Sequence, residues 1–246
     1  MARAILGKRL NVLTCWYKIL KFGNGVDAVP WIDSYSPTLP EQIGNGAIET
    51  LLAPVCPTGV MDAVIGPAQM VLQVHESIGH ALELDRILGD ERNYAGTSFV
   101  KTDDFGSLRW GPEILNVVID PTVAGEVCSA GFDDEGLPAL KTHLIENGIL
   151  KKGIGGALSA QRLSQIQQGI AVSRACSWNR PPIDRMANIN LEPGDSTFED
   201  LISQVEYGVY MESNKSWSID DYRNKFQFGC EYGKLIENGK MTKTVK

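Results

Sequence analysis

The pentapeptide L-I-E-N-G occurs twice in this chain, at Leu144–Gly148 and again at Leu235–Gly239. Each copy sits between apolar, strand-like flanks, in "THLIENGILKK" and "GKLIENGKMTK". Asn-Gly in that setting signals a two-residue type I′ hairpin, because both turn positions need positive φ, which Gly and Asn adopt at low cost. Five shared residues are too few for a repeat architecture. The same turn is built twice, and a β-rich fold with antiparallel pairing follows from it.

Helical signals interrupt the strands at a few places. "VMDAVI" reads as a short strand closed by Gly66-Pro67, and proline suits the first turn of a following helix, where its missing N–H would be unpaired anyway. Met70, Val71, Val74, Ile78, Ala81 and Leu82 then recur at helical spacing, which predicts a half-buried helix. "EILNVVID" (Glu113–Asp120) reads as a strand ending at Pro121. Two further helices are expected at Ser159–Ala171 and after Ser196, where Ser196 and Glu199 have the spacing of a capping box. Strands with inserted helices and no regular alternation define an α+β class: a β-rich domain with the motif helix and two further helices against antiparallel sheet. Residues 1–58 are rich in Gly, Pro, Asn and Ser and read as a lead-in; residues 59–246 read as the main domain.

With 246 residues, 43% of them hydrophobic, the chain can bury one large core. A net charge of −7, with no basic cluster after the first two dozen residues, argues against a nucleic-acid groove. The basic N-terminal stretch lacks a signal-peptide cleavage pattern, and no apolar run is long enough to span a membrane. Five scattered cysteines without a C-x-x-C pair indicate neither a zinc ribbon nor a disulfide framework, so a reducing, cytoplasmic setting is expected.

Chemistry concentrates in "VLQVHESIGHALELD", which holds His75, Glu76 and His80. Zinc peptidases of the H-E-x-x-H type place two histidines four apart on one helical face. Here they are five apart, about 140° around a regular helix rather than about 40°. A π-bulge with i→i+5 pairing would bring them together, and Gly79 is the residue that could permit it. His75 and His80 would then ligate a metal, and Glu76 could move a proton to or from its water. Two core histidines flanking an acid is the other reading of the spacing. Glu83 reads as a helix-surface acid rather than a ligand, and His143 as an ordinary strand residue.

The blocks "HESIGHALELDRILGDERNYAGTSFV", "GFDDEG", "LIENG", "SWNRPPIDRMANINLEPG" and "EYGVYMESNKSWSIDDYRNKFQFGCEYGKLIENGK" together resemble the TldD/PmbA family, once called modulators of DNA gyrase. The resemblance runs from about Ala53 to Lys246. Possession of H-E-x-x-x-H makes the chain similar to the TldD side of that family. It implies a zinc metallopeptidase acting on unfolded or extended peptides. Zn2+ would be bound by His75 and His80, Glu76 would serve as general base, and a PmbA/TldE-like partner subunit or a homodimer would complete the assembly. It also implies a third ligand, a cysteine in a C-G-K-type motif that does not occur before Lys246; Cys230 belongs to an earlier block. The chain is therefore expected to be truncated at both ends. Other family-like residues have plainer readings: Asp133, Asp134 and Glu135 as a solvated acidic turn, Arg185 and its neighbouring asparagines as strand-edge polarity, Trp178 and Trp217 as core or interface residues. Two functions compete: a zinc peptidase, and a catalytically incomplete TldD-like subunit that binds peptide or a partner without cleaving.

Overall fold

The structure is a computed structural model that describes residues 39–163 and 168–246. In chain order its helices are α1 (Leu39–Leu52), α2 (Pro67–Val74), α3 (His80–Leu82), α4 (Leu84–Leu88), α5 (Arg92–Ala95), α6 (Ala157–Gln161) and α7 (Phe198–Ser203). The strands are β1 (Asp62–Ile65), β2 (Val117–Ile119), β3 (Thr142–Glu146), β4 (Ile149–Leu150), β5 (Ser173–Arg174), β6 (Ile183–Asp184), β7 (Ile189–Leu191), β8 (Tyr207–Ile219), β9 (Phe226–Glu237) and β10 (Lys240–Val245). This is an α+β fold. Its described residues fall into two compact units.

The first unit comprises residues 39–69, 196–216 and 229–246. Its sheet has the order β1-β8-β9-β10. The last pair is the second L-I-E-N-G hairpin, with Asn238 at φ 53° and Gly239 at φ 73°, as the type I′ turn requires. β1 pairs parallel with β8, an exception to the antiparallel expectation. Ile202, Val205 and Ile236 form its buried cluster, with Val64 and Tyr210 packed against them. Helix α7 is capped one residue later than expected: Thr197 is the N-cap and exchanges hydrogen bonds with Asp200. Threonine and aspartate fill the capping roles as well as serine and glutamate do, so the sequence offered two registers.

The second unit holds residues 70–163, 168–195 and 217–228. Its main sheet runs β4-β3-β2-β7, all antiparallel, and β5 and β6 form a separate pair. β3 and β4 are the first L-I-E-N-G hairpin, with Asn147 at φ 50° and Gly148 at φ 73°. Val117, Ile119, Leu144, Ile145 and Leu150 from this sheet meet Leu82 and Ile154 in the core. Each such side chain, when fully buried, contributes roughly 1.5–3 kcal/mol. β2 is shorter than the strand expected from Glu113; only Val117–Ile119 pair on both sides. The helix expected over Ser159–Ala171 is regular only to Gln161; residues 164–167 lie outside the described residues, and Ile170, Ala171 and Val172 are buried outside any helix.

Candidate metal centre

Helix α2 begins at Pro67, the position sequence assigned to it, and changes character after Val74. Residues His75–Gly79 form a π-helical turn, closed by the N–H of His80 bonding to the carbonyl of His75. The i→i+5 bond inserts one residue into the turn, so side chains five apart stand nearly in line. The His75 and His80 rings accordingly meet edge to face, with centroids 4.5 Å apart and planes at 83°. Gly79 is buried there against Met186; a Cβ on it would lie 2.0 Å from the Met186 Sδ. The glycine therefore serves close packing at the widened turn.

One ligand-capable atom from each of His75, Glu76 and His80 lies within 4.8 Å of the others. Among the described residues no other group of His, Cys, Asp or Glu side chains converges in this way. His75 is the exposed member, Glu76 is buried and His80 is half-buried. Loss of hydration, then the neighbouring His80 ring, pull the pKa of His75 below its ordinary value even though the residue keeps access to solvent. Burial, then the Arg86 cation, bring His80 down to about 4. Both imidazoles are thus held neutral at pH 7, the form in which a ring nitrogen can ligate a cation.

A backbone break aims the next residue at His80. Helix geometry stops at Glu83, which has ψ 123°. The groups freed by the break find partners at once: Ser98 donates to the Ala81 carbonyl at 2.6 Å, while Ile154 donates to Leu82 at 2.7 Å and accepts from Leu84 at 2.9 Å. Glu83 is fully buried, contrary to the surface acid expected from sequence. Its Oε2 lies 2.7 Å from His80 Nδ1 and 2.6 Å from Arg86 Nη1. An oxygen that already accepts from a guanidinium accepts from the imidazole too, so Nδ1 carries the ring proton and Nε2 keeps its lone pair. Burial pushes the Glu83 carboxyl up to about 7, against the pull of Arg86. Burial does the same to Asp85, also about 7, although Arg86 Nη1 is 2.9 Å from it.

Glu76 is held by residues distant in sequence. Trp217 Nε1 donates to its Oε1 at 3.0 Å and Arg223 Nη1 to its Oε2 at 3.2 Å. Arg223 is anchored in turn by donating to the Ala95 carbonyl at 2.6 Å, and among the described residues it is one of three non-glycine residues at positive φ. Trp217 is half exposed and Trp178 is 95% exposed, so neither is a core residue. Sequence reading gave no role to Arg86, Arg223 or the Trp217 N–H.

The remaining candidates lie elsewhere. His143 Nε2 is 3.4 Å from Glu192 on the sheet surface, the plain strand role expected of it. Asp133, Asp134 and Glu135 do lie at a partly solvated turn, but their carboxylates are also bonded to the protein. Asp133 accepts from the backbone N–H of Glu135, Leu137, Val172 and Ser173; Asp134 accepts from Ala175; Glu135 accepts from Ala157 and the Ser173 hydroxyl. Asn188 and Asn190 bond within the unit, to Cys128, Asp120, Ser129 and Glu126. Cys230 belongs to the first unit, where its thiol donates to the Tyr232 carbonyl.

The widened H-E-x-x-x-H turn is a candidate metal centre, and comparisons with known proteins assign the chain to a family. The profile of the PmbA/TldA metallopeptidase C-terminal domain matches residues 58–246, and the chain belongs to that PmbA/TldD family. A metalloprotease from Methanocaldococcus jannaschii is 34% identical over 202 residues, 82% of this chain and 42% of the relative. A zinc metalloprotease TldD homolog from Saccharolobus solfataricus is 28% identical over 189 residues, 76% of this chain and 40% of the relative. TldE from Thermococcus kodakarensis shares the fold at 18% identity, with a TM-score of 0.66 over 85% of this chain and 46% of that one. The chain spans less than half the length of each of these proteins. Among the described residues no helix is long and apolar enough to cross a membrane.

Proposed function

We propose that the chain carries the zinc-binding part of a metallopeptidase that hydrolyses unfolded or extended peptides. The π-helical turn supports this most strongly, because it gathers two neutral imidazoles and a carboxylate that a regular helix would scatter. The donor set fits zinc: nitrogen ligands of borderline softness, with one ring nitrogen already fixed by a buried carboxylate. When bound, the ion would supply Lewis acidity and lower the pKa of a water to near 7.

The protein's own groups would do the rest. His75 and His80 hold the ion, with His80 oriented by Glu83. Glu76 is the candidate base, kept beside the imidazoles by Trp217 and Arg223. An extended peptide has a strand to pair with at β7, which lies at the edge of its sheet. Asn188 and Glu192 bond across to β2, so the backbone groups of Ile189 and Leu191 point the other way. Strand addition there would read backbone more than side chains. We place residues 1–58 as a lead-in to the metal domain 59–246, a TldE-like subunit or a second copy as partner, and the cytoplasm as the compartment.

A second reading has its own observation. Both oxygens of Glu76 are engaged by donors, and a carboxylate so occupied is poorly placed to take a proton. On that reading the chain is a TldD-like subunit that binds peptide or a partner without cleaving. Incubating the zinc-loaded protein with an unstructured peptide and following products by mass spectrometry separates the two. Cleavage abolished by a chelator and by Glu76→Gln establishes the peptidase. Stoichiometric zinc without cleavage establishes the binding subunit.

A further inference from the structure

The second unit contains a half-open cavity of about 280 Å³, one of whose lining residues also packs on the π-helical turn of the candidate metal centre. The link is the segment Arg185–Ala187. The charge of Arg185 reaches both histidines, the Met186 sulfur packs on Gly79 of the π-helical turn, and Met186 and Ala187 line the cavity. The cavity and the π-helical turn thus meet through one residue, Met186.

The lining fits one kind of occupant. Five alanines stand around the cavity, and truncated side chains leave room that the protein itself does not fill. Val127 and Phe132, which also line it, are 67% and 68% exposed and present apolar surface to solvent. The charged lining groups are spent on the protein. Asp133 and Asp134 accept from backbone N–H groups, while Arg174 donates to the Met186 carbonyl at 3.0 Å and toward the Cys128 sulfur. A charged guest would lose water and gain no free counter-charge, whereas an apolar one would meet the alanines and the Val127 and Phe132 side chains. The volume lies near the ~300 Å³ lower end for ligand pockets, which suits a single large side chain rather than a whole cofactor.

We propose that this cavity is a side-chain subsite that selects peptides carrying a bulky apolar residue, leucine or phenylalanine, beside the candidate metal centre. The proposal rests on the peptidase reading for its occupant, since an extended peptide is what would be presented there.

The test uses the full chain and fluorescent nonapeptides of Gly and Ser bearing one central Phe, Leu or Ala. Anisotropy titrations should show the Phe and Leu peptides binding roughly 10- to 100-fold tighter than the Ala peptide. Ala175→Phe should erase that preference by filling the cavity. Ala139→Phe, also in the lining, is the second variant should the first fail to fold. Equal binding of all three peptides, no binding of any, or a preference that survives in a folded filled variant overturns the subsite. Parallel cleavage assays separate the two claims: cleavage without preference leaves the peptidase and removes the subsite. Preference without cleavage leaves the subsite and removes the peptidase.

Discussion

Two acid-bearing stretches of the second unit, His75–His80 and Asp133–Glu135, are similarly small and similarly polar, and they use their carboxylates in opposite ways. Asp133 closes four backbone N–H groups, from Glu135, Leu137, Val172 and Ser173, and has no capacity left for a ligand. It staples a loop to β5. Glu76 bonds to no backbone group; its partners are two side chains, Trp217 and Arg223, and two imidazoles lie within reach. The difference is one of partner type. Backbone partners make a carboxylate structural, because the chain cannot move away from it. Side-chain partners can turn aside, so on the peptidase reading Trp217 and Arg223 release Glu76 for chemistry, and on the binding reading they do not.

The most severe test of that contrast is to neutralise each acid in turn. Glu76→Gln is expected to lower peptide cleavage by about 10²–10⁴-fold, the range for a lost general base, while melting temperature and zinc content stay near the parent values. Asp133→Ala should do the reverse. It strands several N–H groups and is expected to cost about 2–3 kcal/mol or more by denaturant melts, with zinc stoichiometry unchanged in the fraction that stays folded. If Asp133→Ala removed zinc, or Glu76→Gln unfolded the protein, the division of labour would be wrong.

Glu83 stands between the two cases, a buried acid whose listener is an imidazole. Glu83→Gln should weaken zinc binding by about 10–100-fold in competition titrations with a chromogenic chelator, as loss of an orienting partner does elsewhere. The smallest effect concerns Asp85. Burial raises its pKa from 3.8 to about 7, so between those values the folded protein holds a proton that the unfolded chain has released. Its contribution to stability is therefore present at low pH and lost as pH rises toward 7. Asp85→Asn should remove this fall. His80 acts with the opposite sign. Its pKa falls from 6.5 to about 4, so its contribution is present above pH 6.5 and lost as acid is added. Over this shared interval the two slopes oppose each other, so in the parent protein without metal they should largely cancel, and Asp85→Asn should leave the His80 rise exposed.

Features set by local covalent geometry were legible in the sequence. Both Asn-Gly turns adopt positive φ at each central residue, since few other pairs do so cheaply. The π-helical turn could be anticipated because five-residue spacing and Gly79 leave little else that would bring two histidines together. What could not be read depends on partners distant in sequence. Trp217 and Arg223 reach Glu76 across 141 and 147 positions, and Asp133 finds Val172 and Ser173 some 40 positions away. Glu83 looked like a surface acid because helical periodicity was carried through it. The break at that residue, fastened by Ile154 and Ser98, turns it inward instead. The parallel pairing of β1 with β8 is hidden for the same reason, since Asp62 meets Gly208.

Everything assigned to the metal centre depends on one widened turn of helix joining two imidazoles on a single cation. Anomalous diffraction at the zinc edge from crystals of the zinc-loaded protein measures this directly. The predicted map has one strong peak between the His75 and His80 rings, with the His80 N–H still bonded to the His75 carbonyl. A regular helix with the two rings diverging, or a peak at some other place in the chain, would contradict it.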